Sequence, residues 1–498
     1  MSIFNNFTSF SDHFCYNVNM LNSQKIAANS SFFLLSLVAQ KVLSFVYFTL
    51  LARGLGVELT GRYFFAISFA TMFAVLMDFG LSPVLTKEVV QNKNEQEIYF
   101  QQIFSLKLIF TILALLFLTG LNYFFWGNDP VQLLIYLTML TVAIDSFTLL
   151  FYAYIRGQQN LRYESIGTII FQIIVMIFGL GLLKFTNNLF LLLIVLFAAS
   201  LFNFLFAGFI LRFKFQTKIK FLWHKDLLKK ILLIAWPFAV AAIFAKVYAY
   251  LDSILLKVFL GDLELGFYSV AYKITFAWQF IPLGLVAALY PAFAHFFKED
   301  KVQLTKVFNR GLLYLSLIAW PLSFGIIVLA PEIISQIYKP EFNSSILPLQ
   351  ILIVSLGFLF MNFALSSLLN AANKQKINTR NLGFTMVFNI ILNLILIPLV
   401  GVWGAALASS LSTLFLFILN LMTAKKIVVI DREIVNKMLL AFVLSLLMLV
   451  IVYYLKTIIF WPLTIIVGGA FYLFGLWLFK ILTFSDIKYL KTSLFNKT

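Results

Sequence analysis

Residues 55–66 read LGVELTGRYFFA, and residues 260–271 read LGDLELGFYSVA. At an offset of 205 positions, Leu55, Gly56, Gly61, Tyr63 and Ala66 recur as Leu260, Gly261, Gly266, Tyr268 and Ala271, and Glu58 is answered one place late by Glu264. Each segment joins two long apolar blocks. Blocks of about 18 or more apolar residues read as membrane spans, because in hydrocarbon only a helix satisfies its own backbone. Each copy of the segment links the first and second spans of a six-span block. Six is even, so both blocks run the same way through the bilayer, and two parallel repeats are a transporter architecture.

Working outward from these segments, the chain divides into fourteen spans, the first near 29–51, the second near 62–83 and the last near 460–480. The expected fold is therefore all-α and polytopic, with two parallel six-helix repeats followed by a C-terminal helix pair. The organisation follows: a tail at 1–28, an N-lobe at 29–212, a basic linker at 213–230, a C-lobe at 231–425, and the helix pair with a basic tail at 426–498.

Composition agrees. The 498 residues are 62% hydrophobic and only 11% charged, against about 25% charged in soluble domains. The single cysteine, Cys15, builds neither a disulfide framework nor a thiolate metal site. His13, His224 and His295 are too scattered for a histidine metal centre. His295 reads as an interfacial residue. No GxxxxGK[ST] loop is present, so no nucleotide-driven step is expected. No cofactor or metal is expected either. The first twenty residues lack a basic n-region and a small-residue cleavage site, so no signal peptide is expected.

The net charge of +17 has its basic residues concentrated in alternate loops. Only Arg53, Arg62, Lys184, Lys339 and Lys456 fall on the opposite side. This bias puts both termini in the cytoplasm of a cell whose inner membrane the chain crosses, and it assigns the positive charge to topology and anionic headgroups, not nucleic acid.

Ionisable residues at mid-bilayer cost at least ~2.5–3.5 kcal/mol each on insertion scales, so each needs a reason. Lys41 lies near the centre of the first span, and the same offset carries it onto Lys246 in the seventh. Lys246, Tyr250, Ser253 and Lys257 fall at i, i+4, i+7 and i+11, on one helical face. Tyr272 and Lys273 follow in the eighth span, and Arg53 and Arg62 stand at the outer ends of the first two. Lys41, Lys246, Arg53, Lys273, Lys257 and Tyr250 thus form a candidate cationic, aromatic-lined cavity suited to a phosphate. For Lys257 the alternative is snorkelling to the surface. Asp145, Asp252 and Asp78 are the intramembrane acids, candidates for ion coupling, Asp145 especially, or for neutralising the lysines. Pro237, Pro282, Pro321 and Pro398 should bend their spans.

Several stretches resemble one family. VLSFVYFTLLARGLGVELTGRYFFAISFA at 42–70 with DFGLSPVLTKE at 78–88 resembles the opening of the polysaccharide (O-antigen, Wzx-type) flippases of the multidrug/oligosaccharidyl-lipid/polysaccharide superfamily. YAYIRGQQNLRYE at 152–164 is similar to their fourth-to-fifth span connection. VYAYLDSILLKVFLGDLELGFYSVAYKI at 247–274 resembles the start of their second half, and NIILNLILIPLVGVWGAALASS at 389–410 their eleventh and twelfth spans. The resemblance covers roughly 25–425. It implies two six-helix lobes in a V around a central cavity, alternating access, and a sugar or oligosaccharide carried on a polyprenyl (pyro)phosphate for cell-surface polysaccharide synthesis. Other polysaccharide-assembly proteins are possible partners, and the chain is taken as a monomer.

Two other readings compete. A drug or cation exporter of the same fold predicts an acidic cavity, whereas the deep charges here lean basic. A membrane enzyme such as a polymerase, ligase or acyltransferase needs positioned acids, bases or a metal. The chain has no histidine cluster and no large outer loop to supply them.

Overall fold

The computed structural model describes Phe33 and residues 35–481. The whole N-terminal tail at 1–28, with His13 and Cys15, and the last lysines, Lys488, Lys491 and Lys497, lie outside the described residues. Among those described there is no strand, and fourteen helices are long and apolar enough to cross a membrane. The protein is an all-α, multi-pass membrane protein.

In chain order, α1 is Leu35–Leu55, α2 Val57–Asp78, α3 Leu81–Gln91, α4 Gln96–Trp126, α5 Val131–Gly157, α6 Arg162–Leu183 and α7 Leu189–Phe209. Then come α8 Lys225–Leu260, α9 Asp262–Ala277, α10 Phe280–Glu299, α11 Lys301–Glu332, α12 Ile346–Ala371, α13 Gln375–Val400 and α14 Val402–Ala424. The last two are α15 Arg432–Leu455 and α16 Trp461–Leu478. The 36 residues of α8 extend on the order of 54 Å at 1.5 Å per residue. That exceeds a hydrocarbon layer of about 30 Å, so its lysine-rich first turns reach past the apolar zone.

The second span differs from the sequence expectation. It runs Val57–Asp78 and stops, and α3 follows as a separate short helix. The cause is local: Phe79 and Gly80 take φ of 45° and 72°, which no helix accommodates, and Pro83 sits in the first turn of α3, where its missing N–H costs nothing. The α3 helix buries Leu81, Val84, Leu85 and Val89. Pro237, Pro321 and Pro398 lie inside α8, α11 and α13. Pro282 instead stands in the first turn of α10, just after the break at Trp278–Gln279.

The chain packs as two units. The first holds residues up to Tyr47 together with Phe69–Ile243, and the second holds Phe48–Ser68 together with residues from Phe244 on. The first is built on an apolar cluster that includes Leu85, Tyr99, Ile103, Phe151 and Ile155, with Leu211 and Ile231 closing it. The basic stretch after α7 belongs here and is pinned along α4. Lys218 N donates to Glu97 Oε1 (3.2 Å), Leu222 N to Ser105 Oγ (2.8 Å) and His224 N to Gln102 Oε1 (2.7 Å).

In the second unit α12 packs against α9, α10, α11, α13 and α14. The C-terminal pair α15 and α16 lies on α11, joined by an apolar cluster around Met448, Val452 and Leu476. Tyr472 donates to the Leu317 carbonyl (3.0 Å), and Lys456 pairs with Glu332 (3.0 Å).

Candidate functional site

The repeated glycine segments meet inside the second unit. A Cβ added at Gly61 would fall 1.9 Å from the carbonyl oxygen of Asp262, and one at Gly266 would fall 2.1 Å from that of Val57. Val57 and Asp262, like Gly61 and Gly266, are partners at the 205-residue offset. The contact is therefore reciprocal, as across a two-fold axis. Glycine is required at both positions because the backbones touch.

Charges alternate around this contact. Arg62 pairs with Glu58 (3.0 Å) and Asp262 (3.1 Å), and Lys257 pairs with Asp262 (2.9 Å). Asp262 opens α9 and Lys257 closes α8, each at the end its charge favours. Lys257 Nζ also lies 5.9 Å from the Phe65 ring centroid. Next to it, Arg53 donates to the Gln336 and Ile337 carbonyls (3.2 and 3.0 Å), Lys339 Nζ returns a bond to the Arg53 carbonyl (2.7 Å), and Thr49 bonds Tyr338 (2.8 Å). These bonds bind the end of α1 to the connection between α11 and α12.

Lys246 Nζ stands 5.4 Å from the Tyr250 ring centroid, one turn away on the same face of α8. Lys273 Nζ lies 5.2 Å from the Phe48 ring and 5.7 Å from the Phe64 ring. Tyr272 stacks near Phe64 at 5.7 Å and donates to the Ala249 carbonyl (3.2 Å). Cations over aromatic faces are stabilised by the ring quadrupole by about 0.5–2 kcal/mol, which helps to hold these lysines inside apolar helices. Lys41 lies in the first unit, exposed on α1, and Lys246 lies in the second.

The three acids have three different settings. In the first unit, Asp78 pairs with the fully buried Lys107 and accepts from Ser82. Asp145, on α5, lies beside Ser200 of α7. In the second unit, Asp252 is 2% exposed and held by neutral donors: Tyr268 Oη at 2.9 Å and Asn393 Nδ2 at 2.7 Å, with Asn389 and Ser409 flanking it.

The sequence reading singled out neither Lys107, Asp262, nor the asparagines. Lys107 is an intramembrane ion of the kind that demands a partner. Asn389 and Asn393 sit four apart on one face of an apolar span, a signal as plain as that of the lysines. His295 pairs only with Glu299 on an exposed turn of α10 (3.1 Å).

Comparison with known proteins fits this arrangement. The protein has the fold of the multidrug/oligosaccharidyl-lipid/polysaccharide superfamily of transporters. A lipid II flippase MurJ in an inward closed conformation superposes with a TM-score of 0.75 at 17% identity, covering 90% of this chain and 98% of that one. An inward-facing multidrug resistance MATE family transporter gives 0.65 at 15%, covering 78% and 95%. Within that class, the family model described as polysaccharide biosynthesis protein matches residues 26–297, and the MatE model matches 237–395. The chain belongs to the polysaccharide biosynthesis protein family. Among curated relatives, the probable low-salt glycan biosynthesis flippase Agl15 of Haloferax volcanii is 24% identical over 380 residues, 74% of this chain and 77% of that protein. The probable flippase AglR of the same organism is 29% identical over 170 residues, 33% of this chain and 35% of that protein.

Proposed function

We propose that the protein is a flippase that carries an oligosaccharide linked to a polyprenyl phosphate or pyrophosphate across the cytoplasmic membrane by alternating access, for synthesis of cell-surface glycans. The observation that carries this reading is the set of aromatic-backed lysines, Lys246 and Lys273 first, inside membrane-spanning helices of a chain from this family. A glycan cannot cross hydrocarbon unaided, because each hydroxyl stripped of water costs several kcal/mol. A polar, cationic interior replaces that water and neutralises the phosphate, while the prenyl tail stays in lipid. Lys41, Lys246, Arg53, Lys273, Lys257 and Tyr250 are the phosphate-binding set in this scheme. The lobes are 29–212 and 231–425, both termini are cytoplasmic, and the chain works as a non-enzymatic monomer.

Asp252 is the ion-coupling group. A carboxylate held by neutral hydroxyl and amide donors can exchange a proton or a cation without breaking a structural ion pair. Asp145 is a second candidate for that role, and Asp78 neutralises Lys107.

Native mass spectrometry of the purified protein with polyprenyl pyrophosphate tests the scheme. Wild type retains the lipid, and the Lys41→Ala/Lys246→Ala double variant loses it by about tenfold or more, the scale of one or two charge-assisted hydrogen bonds. Equal retention by both would remove the lysines from the phosphate site.

A further inference from the structure

The second unit contains a cavity of about 560 Å³ between α10 and α12, within the roughly 300–1,000 Å³ of small-molecule sites. Among the described residues no charged one lines it. One wall carries Asn362, Ser366 and Asn370, four apart and so on one face of α12. The opposite wall is apolar and presents Tyr290, 44% exposed.

The polar wall is fixed from behind. Asn420 Nδ2 donates to Asn362 Oδ1 (3.3 Å) and to Ser366 Oγ (3.4 Å). Asn362 Nδ2 donates to the Thr413 carbonyl (3.2 Å), and Asn381 holds Asn420 (3.0 Å). Asn378 Nδ2 donates to Asn370 Oδ1 (3.2 Å). These bonds set the orientation of each amide before a ligand arrives. Ser367 also lines the cavity. It is 5% exposed, and its hydroxyl has no hydrogen-bond partner among the described residues. An unmade bond of that kind costs about 1–3 kcal/mol; the oxygen itself is covered, so a ligand hydroxyl would recover the bond as the Ser367 rotamer turns toward the cavity.

We propose that this cavity is a subsite for a neutral saccharide unit of the transported lipid-linked glycan, an inference that rests on the flippase reading above. The α12 wall bonds the sugar hydroxyls, with Ser367 meeting one of them, and the Tyr290 ring covers the C–H face of a pyranose. A phosphate finds no cation among the described lining residues. An isoprenoid tail leaves the Ser367 hydroxyl as unsatisfied as before. An acidic sugar would bring a carboxylate to a wall without a counter-charge.

The test uses the full-length protein with two probes, polyprenyl phosphate and polyprenyl phosphate bearing one glucose, compared by native mass spectrometry. Wild type prefers the glucosylated lipid by about tenfold, the size of one or two hydrogen bonds. Tyr290→Ala changes an exposed side chain, and Ser367→Ala removes an unpartnered hydroxyl, so both keep the fold. Each should lower the preference for glucose several-fold while binding of the bare lipid stays unchanged. A preference retained in both variants overturns the subsite. So does an equal loss of both lipids, which would make the cavity a tail site. Equal binding of the two lipids by wild type overturns the subsite and leaves the flippase reading standing. Binding of neither lipid overturns both.

Discussion

Asp78 and Asp252 are the same residue in apolar helices, and their surroundings differ in kind. Asp78, in the first unit, faces Lys107, whose side chain is fully buried. Asp252, in the second, faces a phenol and an amide. The first carboxylate is committed, because it is the anion that pairs with a fully buried ammonium. The second is uncommitted: its donors serve an ionised carboxylate, and a tyrosine hydroxyl can turn to serve a protonated one. Burial alone therefore does not separate an acid bound in an ion pair from one held by neutral donors; the partners do.

The largest effect should come from breaking the committed pair. Lys107→Ala leaves Asp78, whose side chain is 19% exposed, without its cation; a stranded member of a buried pair costs about 3–5 kcal/mol, and the partial exposure puts this case toward the lower end. The expected result is a large fall in the midpoint of thermal unfolding in detergent. The double variant Asp78→Asn/Lys107→Met should recover most of the loss, since removing both charges of a buried pair is often close to neutral. An unshifted midpoint for Lys107→Ala would place Asp78 with the exchangeable acids and erase the contrast.

Next in size is Tyr268→Phe, which removes one donor to Asp252. A hydrogen bond to a charged group contributes about 1.5–3 kcal/mol, and one between neutral groups about 0.5–1.5. Urea unfolding of the variant at pH 7 thus reports the state of Asp252. A loss in the upper range identifies a resident carboxylate, and a loss in the lower range identifies a carboxylic acid that is already protonated.

Much of this was legible in the sequence. Span number and helical class followed from the length of the apolar blocks, whereas the contact between the two glycine segments is visible only in the fold. The break after Asp78 was not legible, because Phe79 is an ordinary residue whose positive φ is imposed by its setting. The lysines on α8 stood out because charge in an apolar run is rare. The asparagines were passed over because an amide costs less to bury and so reads as background. Yet they frame Asp252 and the α12 wall. Only the folded chain could show that one guanidinium nitrogen of Arg53 donates to two carbonyls and that Lys257 and Arg62 share Asp262.

Asp252→Asn should have a smaller effect on stability, about 1 kcal/mol or less, because the Asn393 amide still meets a carbonyl oxygen and the Tyr268 hydroxyl can accept from the new amide. Its effect belongs in transport. If Asp252 couples the cycle, reconstituted vesicles containing the variant flip lipid-linked sugar at a rate that no longer varies with pH or sodium. A variant with the wild-type pH and sodium profile would return the coupling role to Asp145, where Asp145→Asn makes the same measurement.

The smallest effect is expected at Glu58, whose pair with Arg62 is as short as many buried ones at 3.0 Å but whose side chain is 61% exposed. Glu58→Gln should change stability by about 0–1 kcal/mol, because solvent screens the pair and Arg62 keeps its second partner, Asp262. Salt separates this contact from the buried one. Raising ionic strength should erase what little Glu58 contributes and leave the cost of Lys107→Ala almost untouched. If the two losses fell together with added salt, Lys107 would be reached by water, and the neutral setting of Asp252 would no longer distinguish it from Asp78.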